Sequence, residues 1–502
     1  MGVMRFVVYP ESLLEDWPEL QRAYVSGFDG RVFPTRVEVE GNVVACRRTA
    51  AESGKVHVAM PIPGFGRPSV CTSSLPEREA PFLLAVELAR GRISQLRDQL
   101  AAWEMAGMAV PEEYWLLHRE AHSLFAESTA QQDQPAEASE TAWKALEVAL
   151  KASQVLSESY TEQRLAVRRK RSARLPAALG CNLGRTLLDE EAGEWFCEAF
   201  TAALVPIEWK HVEPNEGEYD WEIFDEQIVW AGERKLLMSA GPLLDLSPEG
   251  LPGWLWQWEH DFLNLQSFVC DFVETAVARY AGLIRNWEVS ARVNSGGALA
   301  LSEENRLSLV ARTLEVVRQV DDELKLMVRI DQPWGGYQAR GQHRLSPLHF
   351  IDALIRSGVG LYGVNLEIAI GYSPRGTSPR DLLDFSRLID LWSCLGVPLE
   401  VTLAFPSSAE PDPGATTDLE VETPGWKAGW TEEAQAAWVD AYLPMLMAKQ
   451  VVVGIYWAHF SDAVPHHFPH AGLLRADGTP KPALANFAKY RQEYWQPEIE
   501  LL

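Results

Sequence analysis

A (β/α)8 barrel preceded by two smaller segments is the fold that the sequence predicts. Three observations carry it. From Leu175 onward, short apolar runs alternate eight times with helical periodicity, the count that a closed parallel barrel needs. Several of those runs end in a carboxylate, at the strand ends where such barrels build their sites. The run Arg285 to Asn294, RNWEVSARVN, sets Glu288, Ser290 and Arg292 on one face and Trp287 and Val289 on the other, by the two-residue period of a strand. A charged inward face between apolar neighbours suits a barrel that is polar near one mouth. With 502 residues the chain exceeds the roughly 250 of a simple barrel.

In chain order, residues 1–80 read as a β-rich module. MRFVVY, TRVEVE, NVVACRR and KVHVAMPI are short alternating or β-branched runs, separated by the turn signals FDGR, EGN, ESGK and PGFGRPS. This module either binds carbohydrate or serves as a docking unit. Residues 81–174 read as a helical connector, because apolar positions recur at three-and-four spacing around the polar break AESTAQQDQPAEAS. RRKR at 168–171 fits a basic helix C-terminus. The barrel occupies residues 175–502. Its strands are expected near 178–183, 203–209, 236–244, 284–293, 326–331, 362–370, 398–405 and 451–460.

Bulk composition excludes several function classes. A net charge of -25 argues against nucleic acid or an anionic membrane as partner. No apolar run reaches about 18 residues, so no membrane span is expected. The N-terminal stretch lacks the features of a signal peptide. Six cysteines without paired spacing read as thiols in a reducing compartment, so a cytoplasmic location is expected. Nineteen tryptophans in an acidic chain suit a neutral hydroxylated ligand that stacks on rings, although a large core also consumes tryptophan. Phosphate loops, GxSxG elbows and HExxH are absent from the sequence, and no cofactor is expected. HFSDAVPHHFPH gathers four histidines and one aspartate, but it lacks the regular spacing of zinc ligands, so no metal is expected.

Several stretches resemble glycoside hydrolase family 10, the endo-β-1,4-xylanase barrels, over roughly Leu175 to Tyr494. EWKHVEPNEGEYDW (208–221) is similar to the family's second-strand signature, and LPGW (251–254) to its LPxW. NWEV (286–289) falls where the family has WDVVNE. IYWAHFSD with GLLRADGTPKPALANF (472–487) resembles its eighth strand and closing helix. The resemblance implies a carbohydrate-active barrel that cleaves glycosidic bonds of a poly- or oligosaccharide. It also implies two catalytic glutamates, and here the chain departs. Arg292 stands where the family's acid/base belongs, with Ala291 before it, and Leu403 stands at the nucleophile position. On the third strand, Gly241 and Asp245 replace the family's His and Trp.

Glycoside hydrolysis needs two carboxyl groups flanking the bond, one of them protonated near neutral pH. The strand-end acids Glu367, Asp331 and Glu288 are the candidates for a relocated pair. Expected glycan contacts are Glu208, Asp245, Arg292, Asn294, Trp334, Tyr337, Asn365, Trp457, His459 and Asp462. A rival reading makes Glu288, Arg292, Arg329, Glu367 and Glu400 a structural ion-pair network inside the barrel. The corresponding functions are a glycoside hydrolase, a barrel that binds glycan without cleaving it, and a scaffold.

Overall fold

The structure, a computed structural model, describes residues 2–27, 29–172, 174–341, 343–422, 426–427 and 429–495. Eight parallel strands close into a barrel: β1 (Ala178–Asn182), β2 (Ala202–Val205), β3 (Leu237–Ala240), β4 (Asn286–Ala291), β5 (Lys325–Asp331), β6 (Gly363–Ala369), β7 (Leu399–Ala404) and β8 (Val452–Trp457). Each pairs with its successor. The ring closes where β8 meets β1, with Trp457 opposite Cys181, and where β3 meets β4, with Ala240 opposite Trp287. Helices follow the strands and cover their outer faces, as the (β/α)8 reading requires.

Two expected strands stop four residues short, for reasons the residues supply. β2 was expected to reach residue 209. It ends at Val205, before Pro206, which lacks an amide donor. Beyond it Trp209–Val212 forms one helical turn. Glu213 closes that turn, accepting the Trp209 indole N–H at 2.7 Å and the Gly217 amide at 2.8 Å. The VEPNEG part of the 208–221 signature is thus a structural clasp. β3 breaks at Gly241, whose φ of 121° belongs to glycine. A Cβ there would lie 2.2 Å from the Glu288 carbonyl oxygen. The chain resumes at Leu244–Asp245, which pairs with β4 and brings Asp245 to the mouth.

The N-terminal strands form two four-stranded sheets. One orders Thr35–Glu40, Val43–Arg48, Gly2–Val7 and Phe82–Leu83; the other orders Val32–Phe33, Tyr24–Ser26, Lys55–Ala59 and Ser69–Cys71. Three helices follow: α1 (Leu84–Met105), α2 (Glu112–Ala130) and α3 (Pro135–Arg171). Proline at its first turn starts α3, where a missing N–H costs nothing. The basic run at its end docks on the barrel. Arg168 donates to the Lys449 carbonyl at 3.1 Å, and Arg169 pairs with Glu493 at 3.1 Å. The N-terminal sheets are tied to the barrel loops as well. Ser69 N–H donates to the Pro379 carbonyl at 2.8 Å, Arg340 to the Gln21 carbonyl at 3.1 Å, and Arg22 pairs with Glu422.

The candidate site at the barrel mouth

Charges fill the carboxyl end of the barrel in two layers. In the deeper layer, Arg329 of β5 donates to Glu288 of β4 at 2.9 Å. Asn365 of β6 donates to the same carboxylate at 2.9 Å and accepts from Thr402 of β7 at 3.0 Å. In the upper layer, Arg292 directs one nitrogen to Asp245 at 2.6 Å and two to the oxygens of Glu367, at 3.0 and 2.7 Å. Arg329 reaches up to Glu367 at 3.3 Å and links the layers. Arg292 is 6% exposed, Glu367 3% and Asp245 2%, so these pairs are withdrawn from solvent screening.

The backbone holds Arg292 in this role. It follows β4 at a φ of 54°, a left-handed conformation that costs an L-residue about 1–2 kcal/mol. The loop beyond is clamped by Arg306, which donates to the carbonyls of Val293 and Asn294 at 2.8 and 2.9 Å. Asn294 then braces β5, donating to the Asp331 carbonyl at 2.9 Å and to the Tyr337 hydroxyl at 3.2 Å. Asp331 stands opposite Glu367 in the β5–β6 register. Its carboxyl accepts from Ser295 at 2.7 Å and Gln332 at 3.0 Å. Burial, with Glu367 close by, pushes it above the usual carboxylate range. Burial also raises Glu288, against the pull of Arg329. Burial alone would raise Asp245 too, but Arg292 holds it below its ordinary value.

What remains open above these layers is a cavity of about 50 Å³ lined by Glu208, Asp245, Arg292, His459, His467 and neighbours. Small-molecule sites begin at roughly 300 Å³. Glu208 sits 3.4 Å from His211 and 3.9 Å from His467. Burial pushes His467 down to about 4, so its ring is neutral at physiological pH. His459 donates to the Asp462 carboxylate at 3.0 Å, and burial takes its ring to about 4 as well. His459, Asp462 and His466 each bring one ligand atom within 4.8 Å of the others. The cation there is the protein's own: Lys481 holds Asp462 at 2.5 Å. Both His466 ring nitrogens are engaged, by Asp412 at 3.0 Å and the Val464 carbonyl at 2.8 Å. The set does not fit a metal ion without losing these bonds.

The structure therefore brings Glu288, Arg292, Glu367, Asp245 and Asn365 into one network, with Glu208, His459 and Asp462 beside it. Two expected contacts lie elsewhere. Trp457 packs outward against Trp438 and Phe487, its indole N–H donating to the Ala471 carbonyl at 2.7 Å. Its even-numbered neighbour Tyr456 takes the inward face, bonded to Ser239 at 2.9 Å. Trp334 sits under Arg380, 5.0 Å from ring to guanidinium, and lines a separate cleft. His467, Arg185 and Phe468 line the mouth without having been singled out as site residues. The signal for His467 was its place in HFSDAVPHHFPH. Phe468 lies in the same stretch, while Arg185 carried no signal.

No protein-family model matches the chain. Endo-1,4-beta-xylanase 1 of Gibberella zeae is 24% identical over 160 residues, 31% of this chain. The chain spans 45% of the length of that curated relative. Among solved structures, xylanase 10B of Thermotoga maritima is similar at 17% identity and a TM-score of 0.49, over 65% of this chain and 98% of that one. Xylanase 10B of Thermotoga petrophila, solved with xylobiose, is similar at 17% and 0.47, over 64% and 96%. An intracellular xylanase of Thermoanaerobacterium saccharolyticum, solved as a mutant with xylotetraose, is similar at 16% and 0.48, over 62% and 95%. The strand pairing described above establishes a closed (β/α)8 barrel, and the proteins it is similar to are family 10 xylanases.

Proposed function

We propose that the barrel belongs to a carbohydrate-active protein that binds a neutral glycan and does not hydrolyse it through its strand-end carboxylates. One observation carries this reading. The side chain at the family's acid/base position is Arg292, and its guanidinium forks between Asp245 and Glu367. Arg292 and Arg329 occupy both oxygens of Glu367, so neither oxygen can attack a sugar or exchange a proton with it unless those bonds break. Leu403 at the nucleophile position and the small cavity support the same conclusion. The partner reading excludes nucleic acid, on the net charge of -25. No helix among the described residues is long and apolar enough to cross a membrane. Six free cysteines fit a reducing, cytoplasmic setting.

A second reading, hydrolysis by a relocated pair, is favoured by Asp331 alone. It faces Glu367 across adjacent strands and is shifted upward by burial, the direction a general acid needs. One experiment separates the two. The chain is incubated with xylan and with xylobiose to xylotetraose, chosen because similar proteins were solved with such sugars, and reducing ends are counted beside a binding measurement. Binding without release of reducing ends is the expected result. Release that vanishes in Glu367→Gln or Asp331→Asn would establish hydrolysis instead.

A further inference from the structure

A roomier cleft than the mouth lies elsewhere in the molecule. A cavity of about 860 Å³ lies where the N-terminal sheets, α1, α3 and the barrel meet. Its size falls in the range of roughly 300–1,000 Å³ typical of small-molecule sites, which favour junctions between units. Tyr24 and His57 from the sheets, Gln99 and Trp103 from α1, and Trp334 and Arg387 from the barrel are among its walls.

Three features separate it from a packing gap. First, its walls are braced by a buried polar chain. His57 bonds to Ser26 at 2.8 Å and stacks on Tyr24 at 4.6 Å. Tyr24 accepts from Arg380 at 3.3 Å, and Arg380 pairs with Asp384 at 3.1 Å. Burial keeps the His57 ring neutral. Together with the ties at Ser69, Arg340 and Arg22, this fixes the units against one another, so the cleft is preformed. Second, its aromatic rings are ordered: Trp103 stacks on Tyr160 at 4.1 Å, and Trp334 is only partly buried. Third, its ionisable lining is balanced. Lys55, Arg164 and Arg387 stand with Asp29, Asp384 and Asp390.

We propose that this cleft is a second binding site, and that it takes a short neutral oligosaccharide. An apolar ligand would strip water from charged and amide groups without replacing their hydrogen bonds. A strongly anionic one would meet three carboxylates in a chain that is already acidic. Hydroxylated rings satisfy both requirements, since their faces stack on aromatic rings while their edges exchange hydrogen bonds with glutamine and charged groups. The site is independent of the mouth and of any hydrolysis there.

The test is calorimetry of the whole chain with xylotriose, cellotriose, mannotriose and maltotriose. Ala102 lies on an exposed position of α1 at the cleft wall, so Ala102→Trp fills the space without disturbing the core. Glu208→Gln is the matching change at the mouth. At least one trisaccharide is expected to bind with a component that weakens tenfold or more in Ala102→Trp, which melts as the parent does, and that persists in Glu208→Gln, where only a component at the mouth changes. Binding that Ala102→Trp leaves intact, binding lost only in Glu208→Gln, or no binding of any of the four sugars would each overturn the proposal. Glycan bound at the mouth alone would sink this inference while leaving the proposed function standing.

Discussion

The barrel mouth and the junction cleft hold comparable chemistry and direct it differently. At the mouth, Arg292 and Arg329 are each answered by carboxylates within 3.3 Å, and the cavity left over is about 50 Å³. At the junction, the charges sit around a cavity of about 860 Å³, and the bonded chain of His57, Tyr24 and Arg380 supports one wall without filling the space. The difference teaches that charge density alone does not mark a binding site. What matters is whether the charged groups have already found one another.

Four measurements break or sharpen that contrast. The largest effect is expected at Arg292. Its removal in Arg292→Ala leaves Asp245 and Glu367 buried with their main cation gone, a loss of about 3–5 kcal/mol. Urea denaturation at pH 7 reads it, and a loss below 1 kcal/mol would mean that the mouth is wetter than described. Glu367→Gln keeps the shape, but its amide nitrogen cannot accept from arginine, so at most two of the three contacts survive; with the charge that Arg292 and Arg329 share also gone, about 2–3 kcal/mol should be lost. The same variant should leave glycan affinity at the junction untouched.

The third measurement concerns Glu400, deep in the barrel. Burial, aided by Glu288, pushes its carboxyl up to about 8. The folded chain then retains a proton that the unfolded chain has released above its ordinary 4.5. Stability from this group is complete below pH 4.5 and declines as pH rises through 8. Glu400→Gln should therefore gain on the parent as pH increases, by roughly 1–2 kcal/mol at pH 8.5 after allowance for its partial exposure, and be nearly level with it at pH 5. Parallel stability curves would remove the proton from Glu400. The smallest effect is Ala102→Trp, whose stability should stay within about 0.5 kcal/mol of the parent; a larger loss would show the junction to be packed rather than open.

The barrel was legible because its signal is repeated and local. β5, β6 and β7 lie within a residue of the expected runs at each end, since period-two burial and short helical intervals do not depend on distant partners. Strand ends were less legible where loop chemistry intervened, as at Pro206 and Gly241. The charged network was visible as a possibility, because Glu288, Arg292, Arg329 and Glu367 all occupy inward positions. Which carboxylate Arg292 would take was not, because that choice depends on a left-handed residue and on Asp245 returning beside β4. Among the described residues Glu400 makes no ion pair with its expected network, and it acts on it only through proximity to Glu288 and Arg329. Trp457 was misplaced by a single position in the alternation, which is enough to move a side chain from the mouth to the outer layer. The junction cleft was invisible, since its walls come from residues hundreds of positions apart.

The left-handed turn at Arg292 bears on any attempt to place a family-type acid/base group at this barrel mouth. A glutamate set at that position would start from a backbone that already disfavours it, and would point at Asp245 and Glu367. Three carboxylates crowded out of solvent cannot all remain ionised, so the new side chain would take up a proton or swing aside before meeting a sugar. Installing an acid/base group therefore requires rebuilding the strand-end loop from Arg292 to Gly297 and moving Asp245 together with it. That rebuilding takes several simultaneous changes, and no single substitution at the mouth accomplishes it.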